Sequence, residues 1–180
     1  VTIYDFAYDA AGRLASITDG NGNITTIQRD TSGNVTGIVS PDGQVTALTF
    51  NTGGYLASAA NPNGEAAAFA YTADGLMAAR TDARGNATTF VFDANGLLTK
   101  DTDATGGSQS LARIDANNLK YTVTNTSALN RVSSHSVETL LTGGKSRRTT
   151  VNPVGFTTTT LLGLDDSQTV TDPDGTISIT

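Results

Sequence analysis

One histidine, one cluster of cations and a series of turn carboxylates are the residues whose types could do chemistry. His135 stands in Ser133-Ser134-His135-Ser136, with Glu138 and Asp115 elsewhere in the chain. Serine, histidine and a carboxylate can act as nucleophile, base and orienter. No nucleophile-elbow motif frames these serines, and a lone histidine in a serine-rich strand or loop reads as a solvated residue. No catalytic residue is assigned, and the chain reads as a non-enzyme. Asp19, Asn21 and Asn23, and again Asn61, Asn63 and Glu65, carry the oxygens that Ca²⁺ prefers. Neither the EF-hand spacing nor the Gly-Gly-X-Gly-X-Asp nonapeptide is present. Turn chemistry accounts for these residues, so no metal or cofactor is expected. Lys145, Arg147 and Arg148 follow Gly143-Gly144 and form the one dense basic cluster. They are the candidate interaction patch, suited to an acidic partner, a carboxylated polysaccharide or a phosphate. Their plainer reading is a solvated strand that discourages edge pairing. Tyr55 and Tyr121 could stack on sugars, against the simpler reading of cross-strand packing.

The elements that must position these residues are visible as a repeat. Gly12, Gly33, Gly54, Gly75 and Gly96 are each 21 residues apart, and Gly22, Gly43, Gly64, Gly85 and Gly106 follow them by ten. These ten are read as structural turn glycines. Two residues after the first glycine stands Leu14, Val35, Leu56, Met77 or Leu98, and seven after it a turn former, Asp19, Ser40, Asn61, Asp82 or Asp103. Fifteen after it stands Ile27, Leu48, Phe69, Phe90 or Leu111, and two further on Arg29, Phe50, Tyr71 or Phe92, with Tyr8 one unit earlier.

Two turns about ten residues apart leave arms of roughly five to six residues, the usual strand length. Each unit is therefore a β-hairpin. Two turn types are expected: one like Phe92-Asp93-Ala94-Asn95-Gly96, with glycine at positive φ beside a bulge, and one like Ser40-Pro41-Asp42-Gly43, opened by proline. In the second arm, Phe69 and Tyr71 share a face and Ala70 points away. The column of Ile17 and Ile38 turns into Ala59, Arg80 and Asp101, so burial fades along the array or the register bends.

After Gly106 the pattern drifts. Ile114-Asp115-Ala116-Asn117-Asn118-Leu119 copies Phe92 to Leu97 at a spacing of 22, with Asn118 expected in the glycine's left-handed role. Residues 1–119 read as regular hairpins and 120–180 as a degenerate continuation of the same array. Asn130 and Gly143-Gly144 are the expected turns between Thr122 and Thr150, where strands of other lengths are expected rather than a helical domain. Asn152-Pro153-Val154-Gly155 and Asp172-Pro173-Asp174-Gly175 repeat the proline-type turn.

Composition agrees. Aromatic content is 6% and hydrophobic content 37%, which predicts a thin core in one stacked layer of sheet. A net charge of −6 disfavours nucleic acid and anionic membranes as principal partners. Cysteine is absent, which excludes disulfides and thiolate sites. No apolar run reaches membrane-spanning length and no charged-then-apolar leader opens the chain. The pattern is already running at Val1 and still running at Thr180, so a piece of a longer polypeptide is expected.

Tyr8-Asp9-Ala10-Ala11-Gly12-Arg13-Leu14, echoed by Arg29 to Val35, Phe50 to Leu56, Tyr71 to Met77 and Phe92 to Leu98, resembles the YD repeat of the Rhs and teneurin proteins. The resemblance implies an all-β, continuous and spiralling sheet of antiparallel hairpins. In bacterial members that sheet is a hollow shell around a C-terminal toxin; in teneurins it is an extracellular barrel. It implies a secreted or cell-surface location. The expected function is a structural segment of a large bacterial protein, in a β-shell or an extended fibre or stalk. A carbohydrate- or receptor-binding adhesin module and the shell of a toxin whose effector lies outside this chain are the alternatives. Expected partners are neighbouring repeats or further copies by edge-to-edge pairing, a carbohydrate or cell-surface receptor, or an enclosed polypeptide. Bacterial shells of this kind close with an Asp-Pro-X-Gly-Leu motif tied to self-cleavage. Here Asp172-Pro173-Asp174-Gly175 leads into Thr176, so that activity is not carried over.

Overall fold

The structure, a computed structural model, describes residues 3–141 and 143–180. The start of the pattern at Val1 lies outside the described residues. Among the described residues there are seventeen strands and no helix, and each strand pairs antiparallel with its neighbour in sequence. The chain divides into two units, one up to Thr89 and one from Phe90.

The first unit contains β1 (Asp5–Tyr8), β2 (Leu14–Thr18), β3 (Ile24–Arg29), β4 (Val35–Val39), β5 (Val45–Phe50), β6 (Leu56–Ala60), β7 (Ala66–Tyr71), β8 (Met77–Thr81) and the start of β9 (Ala87–Phe92). Its register is the same in every repeat. Rows of directly opposed residues run Phe6, Ile17, Thr25, then Ile27, Ile38, Thr46, then Leu48, Ala59, Ala67, then Phe69, Arg80, Thr88. Opposed residues share a face, so one side of the sheet collects the large side chains. The other side carries rows such as Gln28, Gly37, Ala47, then Thr49, Ser58, Ala68, then Ala70, Ala79, Thr89. Most of its positions are Ala, Gly, Ser or Thr, but it also carries Ile24 opposite Thr18 and Val39 opposite Val45.

These rows remove the bending register, and burial along the column alternates without fading. The register does not bend: Ile38, Ala59 and Arg80 occupy one position, opposite Ile27, Leu48 and Phe69 respectively. As the residue of the second arm grows, its partner shrinks or turns polar.

Among the described residues no hydrophobic side chain is fully buried. The thin core expected from composition is therefore not a closed core. It is a row of half-covered side chains on one side of a single layer, because neighbouring strands cover flanks and nothing covers the face. The exposed area of 12050 Å² shows the same thing. Even two separate globules that divided the mass of 18.5 kDa between them would expose only about 9,900 Å².

The second unit holds the rest of β9, then β10 (Leu98–Thr102), β11 (Ser108–Asn117), β12 (Lys120–Ser127), β13 (Val132–Thr139), β14 (Ser146–Val151), β15 (Thr157–Leu162), β16 (Gln168–Thr171) and β17 (Ile177–Ile179). The drift after Gly106 is a lengthening of strands: β11 has 10 residues and β12 and β13 have 8 each. Segment Ile114 to Asn117 lies inside β11 and does not form a repeat turn. Asn118 is not at positive φ; Asn117 pairs with Lys120, leaving a two-residue loop, and Asn117 Oδ1 accepts from Leu119 N at 2.9 Å. The loop closes with neither Asn118 nor Leu119 at positive φ, unlike the primed turns that commonly close two-residue hairpins. Asp115, at the position of the YD aspartate, instead binds the Arg113 guanidinium at 2.7 Å.

Candidate functional site

The recurrent unit is a five-residue capped turn. In Asp9-Ala10-Ala11-Gly12-Arg13 the Asp9 N–H donates to the Arg13 carbonyl and the Gly12 N–H to the Asp9 carbonyl, both at 2.9 Å. The Asp9 carboxylate then accepts from the N–H groups of Ala11 and Arg13, each at 2.9 Å. One side-chain oxygen thus serves two backbone donors that would otherwise face solvent unpaired. The aspartate of the YD motif is a turn cap.

The same two backbone bonds close the turns opened by Asp19, Asp30, Ser40, Asn51, Asn61, Thr72, Asp82, Asp93 and Asp103, and again by Ser127, Asn152 and Asp172. The two turn types expected from sequence are thus one turn. It forms whether the second residue is Pro41, Gly20 or Ala83. What differs is the hairpin around it. Beside the YD turns the register slips by one residue, between Ala7 and Tyr8, Gln28 and Arg29, Thr49 and Phe50, and Ala70 and Tyr71, leaving Ala15, Thr36, Ala57 and Ala78 as bulges. The other turns carry no slip. The bulge brings Tyr8 opposite Leu14, Phe50 opposite Leu56 and Tyr71 opposite Met77, so the YD aromatic and the apolar residue after glycine clasp the turn.

The ten repeat glycines take φ between 74° and 90°. At two of them a second demand appears. Tyr55, the residue after Gly54, stacks on Tyr71 with ring centroids 5.0 Å apart, and its hydroxyl lies where a Cβ on Gly75 would stand. Two repeats earlier Arg13 does the same over Gly33, donating from Nη1 to the Gly33 carbonyl at 3.2 Å. These two repeats therefore reach across the hairpin edge to the turn of the next, whereas nothing stands within 4 Å of a Cβ built on Gly54.

Electrostatics follow from the caps. Asp19 is held below the ordinary carboxylate value first by the Asn23 side-chain amide and then by the backbone N–H groups of Asn23 and Asn21. Asp82 is lowered first by the Asn86 amide, and Asp103 first by the Thr105 hydroxyl. Because the folded value lies below the unfolded one, this stabilisation is complete above the usual aspartate range and is lost as pH falls below it.

The oxygens read as calcium ligands are spent on the same bonds. Asp19 Oδ1 holds Asn21 N at 2.8 Å and Asn23 N at 2.9 Å, and Asn61 Oδ1 holds Asn63 N and Glu65 N at 3.0 Å. Among the described residues no group of three or more metal-ligating side chains converges. His135 lies exposed on β13, opposite Val123 and Thr150, and its Nδ1 meets Thr150 Oγ1 at 3.2 Å. Glu138 points to the opposite face, where it meets Lys120 at 3.7 Å and Arg147 at 3.5 Å. The structure thus brings no carboxylate to the imidazole. It also divides the basic cluster: Arg147 stands opposite Glu138, while adjacent Arg148 stands opposite Val137 on the other face.

Sequence reasoning missed the turn Gly163-Leu164-Asp165-Asp166-Ser167, where Asp166 takes φ 62° in the glycine's place. Asn130, at φ 57°, fills the same role after Ser127.

Capped turns, paired bulges and edge-to-edge strand pairing define a β-hairpin repeat protein. The family model Teneurin YD-shell matches residues 1–179, and the chain belongs to that family. No curated protein matches the chain by sequence. Among solved structures it is similar to TcdB2-TccC3 without its hypervariable C-terminal region, at 10% identity and a TM-score of 0.41, covering 97% of this chain and 17% of that one. It is also similar to TcdB2-TccC3 itself, at 11% identity and a TM-score of 0.39, covering 93% and 15%. The chain thus spans about a sixth of the length of these neighbours. No helix among the described residues is long and apolar enough to cross a membrane.

Proposed function

We propose that this chain is a wall segment of a secreted or surface-displayed β-shell that encloses a polypeptide lying outside it. The membership of residues 1–179 in the YD-shell family carries the reading. The coreless layer supports it: a sheet that gathers most of its large side chains on one face, with no fully buried hydrophobic side chain among the described residues, needs a covered environment for that face. Residues 1–119 supply regular wall and 120–180 its degenerate continuation. The turn glycines set the hairpins, and Lys145, Arg147 and Arg148 serve as contacts to neighbouring segments.

Electron microscopy of the full polypeptide that carries this chain tests the reading. A hollow particle whose enclosed segment resists protease until the particle is unfolded is expected. Extended fibres, or an accessible segment at all conditions, would overturn it.

A further inference from the structure

The repeat provides its own control, because each column shows what a purely structural position requires. In the YD aromatic column the residues are Tyr8, Phe50, Tyr71 and Phe92, with one exception, Arg29. In the bulge column Thr36 stands in the same hairpin, where Ala15, Ala57 and Ala78 carry alanine and Thr99 also carries threonine. Arg29 and Thr36 line one open cleft of about 740 Å³ in the first unit, together with Asn34, Leu48 and Phe50.

Arg29 is half-buried. Its Nη1 donates to the Gly33 carbonyl and its Nη2 to the Leu14 carbonyl, each at 3.2 Å, while its Nε has no partner. The same Gly33 carbonyl receives Arg13 Nη1 at 3.2 Å, so the two Nη1 atoms lie within about 6.4 Å of each other. Arg13 is neutralised by Asp9 at 2.8 Å. Among the described residues Arg29 has no carboxylate partner. Asp30 also lines the cleft, but its oxygens are taken by Asn34 N at 2.8 Å and Asn34 Nδ2 at 3.1 Å. In a chain of net charge −6, a half-buried guanidinium beside a second cation and without a carboxylate partner keeps positive charge that an anion would offset.

We infer that the Arg29 cleft binds a carboxylate. The planar fork of the guanidinium keeps one N–H on each of Nη1 and Nη2 beyond those given to the carbonyls, which suits a two-oxygen acceptor. Thr36 offers a hydroxyl donor at the bulge. Leu48 and Phe50 provide an apolar floor for the carbon chain that carries the charge. Two sources fit this chemistry, an acidic side chain of a polypeptide and a free small carboxylate. The inference stands on the cleft alone and does not depend on the shell reading.

Titration of the isotope-labelled 180-residue chain, followed by NMR, tests it. The probes are N-acetyl-glutamate methylamide, its glutamine counterpart and acetate. Saturable shifts around Gly33, Thr36 and Phe50 are expected with the glutamate probe and not with glutamine. If acetate binds as tightly, the source is a free carboxylate; if it binds at least tenfold more weakly, the source is an acidic side chain. Arg29→Tyr restores the residue of its own column and is expected to abolish the shifts. Arg29→Lys, which keeps the charge and loses the fork, should weaken binding at least fivefold, and Thr36→Ala severalfold. No saturable shift in the unsubstituted chain, equal response to glutamine, or binding retained in both Arg29 variants would each overturn the site. Should Arg29→Tyr fail to fold, the Lys and Thr36→Ala variants decide.

Discussion

Gly75 answers to two constraints. Its φ of 83° is the left-handed region, and its missing side chain leaves room for the Tyr55 hydroxyl. Gly64 has the same φ with nothing within 4 Å of a built Cβ, so it carries only the first constraint. Gly64→Ala should therefore cost about 1–2 kcal/mol, the ordinary penalty of a left-handed alanine. Gly75→Ala should cost clearly more. In Tyr55→Ala the excess should vanish, so that adding Gly75→Ala costs what Gly64→Ala costs. Urea unfolding midpoints of the four variants measure this, and an equal cost for both glycines in the Tyr55 background and the native one would refute the steric part. The glycine columns were legible in sequence because positive φ selects glycine so strongly. The Tyr55 contact was not, since it joins residues 20 apart through a geometry that only the pairing register creates. Arg29 is the same case: its place among aromatics can be read off, but its sharing of one carbonyl with Arg13 cannot.

Turns and bulges explain where the sequence could and could not be read as elements. A cap residue and a glycine three later are two signals that every turn of the 21-residue repeat carries, although Asn34 with Gly37 and Thr160 with Gly163 also carry both and form no such turn. Gly163 to Ser167 has neither, as Gly163 lacks a side-chain oxygen and Asp166 stands at the glycine position, so nothing local announced it. The Ile114 to Leu119 segment had the aspartate without the glycine, and the strand ran through it. These differences predict opposite responses. Asp166→Gly removes a left-handed aspartate and should stabilise the second unit by about 1 kcal/mol. Asn118→Gly should give no gain and cost up to about 1 kcal/mol in added chain entropy, because Asn118 is not left-handed. Thermal unfolding of the two variants compares them directly. Stabilisation by Asn118→Gly would mean the two-residue loop is wrong.

For the molecule as a whole, the absence of any fully buried hydrophobic side chain changes what unfolding means. Stability is a sum of hairpin and neighbour terms rather than the property of one core. Unfolding is expected to be graded, with residues near the ends of the array exchanging amide protons before the middle. The heat-capacity increment should fall below the roughly 12–15 cal/mol/K per residue of globular domains, since less apolar area is newly exposed. Calorimetry together with residue-resolved hydrogen exchange checks both. A single cooperative transition with uniform protection and an ordinary heat-capacity change would show that the chain finds a core of its own.

The reach of Tyr55 to Gly75, and of Arg13 to Gly33, spans 20 residues in a lattice of period 21. A gene that grows by unequal crossing-over in whole periods therefore copies the donor residue and the vacated glycine position together, wherever the break falls. A junction copied from the Arg13 or Tyr55 repeat inherits the contact, whereas one copied from the Asn34 repeat does not, since nothing stands within 4 Å of a Cβ built on Gly54. Which repeat is duplicated therefore decides whether the new junction is tied at its turn.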